Sequence, residues 1–157
     1  MKKGLAKTVA QALRKKKKTL AVAESCTGGL VCAILTKNAG SSAFFQLGVV
    51  TYADEAKHAL VRVPARLLAR HGAVSRPVAM CMAKNVRKIL NSDYGIGITG
   101  IAGPTGGTRR KPVGLVYIAL SDRKKIQCHR CVFQGTRARI QSAAAAKTLA
   151  VLSHYIR

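Results

Sequence analysis

Apolar and polar positions follow two rhythms along this chain, and each change of rhythm marks an element. Leu5, Val9, Ala12 and Leu13 recur at helical spacing among lysines, which predicts a basic amphipathic helix over Lys3 to Lys16 packed on the domain. The run from Thr19 to Ala23 is apolar and short, a buried strand centred on Leu20 to Ala23, and Leu30 to Thr36 then reads as a helix. After the turn Gly40-Ser41-Ser42, Phe44 to Tyr52 is dense in aromatic and β-branched residues, the signature of a second strand. Asp54 is placed to cap a short helix through Leu60 and Val61, and Pro64 opens another over Ala65 to Arg70. Ser75 and Pro77 start a longer helix to Leu90, with Val78, Met82, Val86 and Ile89 on its apolar face. Tyr94 to Thr99 is a strand, Pro104 to Lys111 a loop, and Val113 to Leu120 with Lys125 to Phe133 a hairpin around Ser121-Asp122. A last helix is predicted from Thr136 to Tyr155. Strands separated by helices and followed by a hairpin imply an α/β fold of three layers, α/β/α, with a mixed sheet. No repeat or linker divides the chain, so residues 1–157 are expected to form one domain.

Composition narrows the class. The 157 residues suffice for a sizeable core, 48% are apolar, and no apolar run approaches a membrane span. The basic start is not followed by a long apolar stretch before Lys15-Lys16-Lys17-Lys18, so no signal peptide is expected and a cytoplasmic location is. Lys and Arg total 28 against 5 Asp and Glu, a formal +23. That balance raises polyanions as partners. The basic residues are nevertheless scattered, aromatics are few and Trp is absent, so the expectation is a solvated basic surface with weak, non-specific polyanion affinity. Five cysteines without a secretory feature are expected to stay reduced. Cys128-His129-Arg130-Cys131 has C-x-x-C spacing, but on a strand residues three apart point to opposite faces, and no second pair lies at zinc-finger spacing. No metal is expected.

Two glycine-rich turns carry the candidate chemistry. Ala23-Glu24-Ser25-Cys26-Thr27-Gly28-Gly29 places a serine where a strand gives way to a helix, a corner that exposes a hydroxyl beside backbone N–H groups. Taken alone, it serves equally as a plain corner with Ser25 or Thr27 as helix cap. Thr99-Gly100-Ile101-Ala102-Gly103-Pro104-Thr105-Gly106-Gly107 also follows a strand, and sites form beyond the carboxyl ends of strands in such sheets. A nucleophilic serine needs a base. None of His58, His71, His129 and His154 sits in a prepared setting. Lys57 lies in a first helical turn, where the helix dipole disfavours a cation, although spacing alone also suits a surface lysine paired with Asp54 at i, i+3. Arg137, at the entrance of the last helix, is a poor dipole complement and invites an anionic ligand; a solvated arginine is the alternative.

In order, Ala23 to Gly29, Gly40-Ser41-Ser42, Val50-Thr51-Tyr52 with Glu55-Ala56-Lys57, His71 to Ser75, Thr99 to Pro104, Lys111-Pro112-Val113-Gly114, and Phe133-x-Gly135-x-Arg137 resemble the CinA carboxy-terminal-domain family. The family is named for competence/damage-inducible protein, and the resemblance spans about residues 4 to 155, in the form without the amino-terminal domain of longer relatives. It implies an amidohydrolase that converts nicotinamide mononucleotide to nicotinic acid mononucleotide and ammonia through a serine/lysine pair, with no cofactor and no metal. By motif position Ser25 would be the nucleophile and Lys57 the base, with Tyr52 beside them. Thr99 and neighbouring amides would support the oxyanion or orient the substrate, and Arg137 would assist at its anionic end. Thr27, Gly28, Gly29, Gly100, Gly103, Gly106 and Gly107 would bind the nucleotide, the glycines by letting backbone approach it. Related proteins suggest a homo-oligomer.

A carboxamide is a poor electrophile, so its oxyanion needs fixed donors, each worth about 3 kcal/mol; the amides at the helix start behind Ser25 are the expected source. Two positions depart from the family pattern: Thr136 stands where an aspartate usually precedes the arginine, and Gln141 where a basic residue is common. The rival reading is a non-catalytic nucleotide- or nucleic-acid-binding accessory protein linked to competence, and a serine hydrolase acting on another amide is a third.

Overall fold

The computed structural model describes residues 4–156. Helix α1 (Leu5–Lys15) precedes β1 (Leu20–Glu24) and α2 (Leu30–Thr36). A short 3-10 turn, Ser41–Ala43, leads to β2 (Phe45–Val50), which is followed by α3 (Asp54–Val61), α4 (Ala65–His71) and α5 (Arg76–Ile89). Then come β3 (Tyr94–Gly100), β4 (Leu115–Ser121), β5 (Ile126–Val132) and α6 (Arg137–Tyr155). The expected helix start at Lys3 lies outside the described residues. One sheet runs in the order β2-β1-β3-β4-β5, parallel across its first three strands and antiparallel across the last three. The three-layer mixed-sheet expectation holds.

The layers follow from side-chain size on alternating strand positions. Leu20 and Val22 of β1, Ile96 and Ile98 of β3, and Val116, Ile118 and Leu120 of β4 share a core with α1, α2 and α6. The opposite face carries small residues: Ala21, Ala23, Gly95, Gly97 and Ala119. That face lets α5 lie close to the sheet. A Cβ added at Gly95 would run into the Ala83 carbonyl oxygen, and one at Gly97 into that of Ala79. Gly97→Ala therefore overpacks a backbone contact that no rotamer can relieve, and about 3 kcal/mol of lost stability is expected. Urea denaturation checks this; a change in the midpoint within error would show that α5 can retreat.

Two differences from the sequence reading are local. Strand β2 ends at Val50 rather than Tyr52: the Thr51 amide still donates to the Glu24 carbonyl of β1 at 2.7 Å, and beyond it the chain turns toward α3. Asp54 does not cap α3 from outside: Ala53 holds the cap position and Asp54 is already helical. Cys128 packs toward α5 and Cys131 toward the α6 core, on opposite faces as their spacing predicts. Because the chain leaves β1 for β2 on one side and returns to β3 on the other, the carboxyl end of β1 is a topological switch point. Ser25 is the first residue beyond it.

Candidate active site

The corner after β1 turns on two left-handed glycines, Gly28 (φ 63°) and Gly29 (φ 93°), with the Gly28 amide donating to the Ser25 carbonyl at 3.0 Å. Neither Ser25 nor Thr27 caps α2. Glu24 does. Fully buried, its carboxylate accepts from the amides of Gly29 (3.0 Å), Val31 (3.2 Å) and Cys32 (2.8 Å). The expected oxyanion donors at the start of α2 are therefore already engaged. Immediately after the serine, the Thr27 amide is free of any acceptor among the described residues, and the Cys26 amide meets only its own thiol.

Ser25, Tyr52, Lys57, Thr99 and Gly100 line one cavity of about 170 Å³ together with Cys26, Asp54, Ala73, Val74 and Ala102. A larger groove of about 470 Å³ between α3 and α5 is lined by Leu60, Arg62, Asn85, Lys88 and Ile89 and holds no nucleophile, so size does not choose the site. Lys57 is only 1% exposed. Its Nζ donates to the Tyr52 carbonyl (2.9 Å), the Ala53 carbonyl (3.4 Å) and Asp54 Oδ1 (3.2 Å). Three acceptors match the three hydrogens of an ammonium. The pairing with Asp54 is thus the one spacing suggested, while the burial is not that of a surface lysine. The Ser25 hydroxyl, facing the same cavity, has no hydrogen-bond partner among the described residues.

Thr99 Oγ1 donates to the Ala73 carbonyl at 2.9 Å, tying β3 to the turn before α5 and leaving acceptor lone pairs toward the cavity. Arg137 reaches the Gly103 carbonyl (2.9 Å) and the Tyr52 hydroxyl, so the last helix, the glycine-rich loop and the β2–α3 turn meet at one guanidinium. Gly28, Gly29, Gly103, Gly106, Gly107 and Thr27 stand outside the cavity lining. Thr27 Oγ1 is buried without a partner. Both departures from the family pattern are absorbed: Thr136 caps α6 by accepting the Arg139 amide at 3.4 Å, and Gln141 Nε2 donates to the Cys26 carbonyl at 2.9 Å.

Cys26 also faces the cavity, and thiols are strong nucleophiles. Burial, foremost, pushes its thiol up to about 12, so it stays protonated and unreactive at neutral pH. Burial raises Cys128 to about 11 as well. Groups raised in the folded state keep their stability contribution below pH 9, the ordinary thiol value, and lose it above, where only the unfolded chain sheds the proton. Stability should accordingly fall between pH 9 and about 11–12. Cys26→Ala should flatten that slope, read as urea midpoint against pH.

The fold and this corner define a three-layer α/β domain with a buried lysine and an unpartnered serine at a switch point. A family model described as the CinA C-terminal domain matches residues 2–156. The chain belongs to that family. It is 48% identical over 149 residues to a CinA-like protein of Syntrophus aciditrophicus, covering 94% of this chain and 36% of the relative. A CinA-like protein of Citrifermentans bemidjiense is 50% identical over 144 residues, 92% of this chain and 35% of the relative. The chain thus spans about a third of the length of these relatives. Among solved structures, a CinA superfamily protein from Klebsiella pneumoniae 700603 aligns with TM-score 0.93 and 37% identity over 97% of this chain and 95% of its own. The competence/damage inducible protein CihA from Agrobacterium tumefaciens aligns with TM-score 0.95 and 35% identity, over 98% and 94%. No helix among the described residues is long and apolar enough to cross a membrane.

Proposed function

We propose that the chain is an amidohydrolase that hydrolyses the carboxamide of nicotinamide mononucleotide to nicotinic acid mononucleotide and ammonia, with Ser25 as nucleophile and Lys57 as base. The observation that carries this reading is the shared cavity, in which an unpartnered serine hydroxyl and a buried lysine amine face the same space at the switch point. Ser25 Oγ attacks the carboxamide carbon, and its proton passes to the Lys57 amine. The oxyanion accepts from the Thr27 amide, which has no other acceptor among the described residues, and from the Cys26 amide, whose other contact is its own thiol. Lys57 then protonates the departing nitrogen, ammonia leaves, and water hydrolyses the acyl ester. Acting as a base requires Lys57 to be the neutral amine, with two hydrogens for its three acceptors, and Asp54, whose side chain is 53% exposed, is the acceptor able to turn away into solvent.

At about 170 Å³ the cavity takes the carboxamide ring and leaves the ribose phosphate outside, toward Arg137. Ammonia release from nicotinamide mononucleotide by the purified protein is the direct test, and a folded preparation that releases none sinks the proposal. Lys57→Met should lose turnover without losing stability: Met fills a similar volume, the departing charge removes a desolvation cost, and the half-exposed Asp54 stays solvated. A melting temperature lowered by more than a few degrees would instead make Lys57 a structural ion-pair residue.

A further inference from the structure

On the far side of the sheet from Lys57, where α6 runs along the edge strand β5, nitrogen donors gather with no carboxylate among them. A cavity of about 210 Å³ is lined by Gln127 and His129 of β5 and by Lys147, Ala150, Val151 and His154 of α6. The α6 residues recur at i, i+3, i+4 and i+7, a single stripe of that helix. Neither Lys147 nor His154 has an ion-pair partner among the described residues. His129 Nε2 is shielded from solvent and likewise lacks a partner. A solvated basic face leaves its polar atoms in water; this one withdraws an imidazole nitrogen from water and gives it nothing, which native interiors seldom tolerate.

We propose that this cavity is a binding site for a small phosphate-type dianion. Lys147 supplies the fixed charge, the His129 and His154 imidazoles supply N–H donors, and the Gln127 amide adds one more. The volume lies below the roughly 300 Å³ at which pockets for larger organic ligands begin, so the ligand is small. The exposed Ala150 and buried Val151 accommodate an ester methyl or methylene if the phosphate is esterified. Burial, then Lys147 and Arg76, hold the His129 imidazole below its ordinary value. Arg76 reaches this edge from α5 through the Cys128 carbonyl at 2.9 Å. A bound dianion reverses that bias, because it favours the imidazolium. Affinity is therefore greatest where imidazolium and phosphate dianion coexist, at about pH 6–7, and falls on either side.

The four histidines provide an internal control, since His58 and His71 lie on α3 and α4 in the opposite layer. Imidazole NMR signals of the whole chain are followed at about pH 6.5, where imidazolium and dianion are both present, while inorganic phosphate, and in a parallel arm methyl phosphate, is added. The site predicts saturating shifts of His129 and His154 alone, with a dissociation constant of about 1 mM or tighter. Lys147→Gln, at an exposed position, should weaken binding about tenfold, with the His58 and His71 signals unchanged and the His129 imidazole released toward its ordinary value. Tighter binding of methyl phosphate identifies an ester as the source of the anion, and tighter binding of phosphate identifies the free ion. All four histidines moving together without saturation, or an unchanged affinity in Lys147→Gln, reduces the effect to screening of a +23 chain and overturns the site. The readout involves no turnover, so it stands or falls apart from the amidase assignment.

Discussion

Ser25→Ala is expected to lower ammonia release from nicotinamide mononucleotide by at least about a thousandfold while leaving the melting temperature in place. The two halves rest on different observations. Loss of turnover follows if the hydroxyl forms the acyl intermediate, because no other group in the cavity replaces it. Cys26, the adjacent candidate, is held as a thiol by burial, with its pKa near 12. Retention of stability follows from what the hydroxyl does in the folded chain, which is nothing: it has no partner among the described residues, and alanine leaves no buried donor or acceptor unmatched. Activity of the variant within tenfold of the parent would end the acyl-enzyme reading. Loss of activity accompanied by a large fall in melting temperature would make the serine a structural residue.

Much of this arrangement was legible along the chain, and the unreadable part has a common cause. The helix over Leu30 to Thr36 matches the structure residue for residue, and the hairpin expected around Ser121-Asp122 turns over residues 122–125, where Asp122 accepts the Lys124 and Lys125 amides. Hydrophobic rhythm and turn residues encode such features locally. The placement of the serine just past a strand end and of the lysine in the first turn of a helix was equally visible. The burial of Lys57 was not, because the cavity it lines is shared with the Ala73–Val74 turn and the end of β3, both remote in sequence. The i, i+3 spacing to Asp54 foretold the partner without foretelling the environment. Likewise Gln141 and Thr136 looked like losses beside the family pattern, whereas in three dimensions one holds the Cys26 carbonyl and the other caps α6.

Carboxylates are so scarce here that each placement carries weight. Of 5 acidic residues in a +23 chain, Asp93 accepts Lys18 and the Thr19 amide and hydroxyl, and Asp122 closes the hairpin. Asp54 holds Lys57, and Glu24 holds the first turn of α2. These groups act as backbone fasteners or as counter-ions to single lysines, Lys18 and the buried Lys57, and none of the four neutralises the basic surface broadly. The surface charge is left largely to water and salt.

Glu24→Ala is the second large effect expected, this time on folding. Burying a carboxylate is costly, and Glu24 offsets that cost with three N–H donors and the positive end of α2. Alanine strands those donors, one of them fully buried at Val31, and opens a void beneath the corner. Charge-assisted hydrogen bonds of this kind contribute about 1.5–3 kcal/mol each but are not additive, so a total of about 3–5 kcal/mol is expected. That is a large share of the 5–15 kcal/mol typical of a domain, and at about 2–4 °C per kcal/mol it lowers the melting temperature by roughly 6–20 °C. Glu24→Gln separates charge from shape. Its single oxygen can serve some of the amides, but its NH₂ group faces the remaining N–H and repels it. Glutamine should therefore fall closer to alanine than to the parent. A melting curve for Glu24→Gln that overlays the parent would mean that the corner presenting Ser25 is held by side-chain shape and its glycines, with the carboxylate charge incidental.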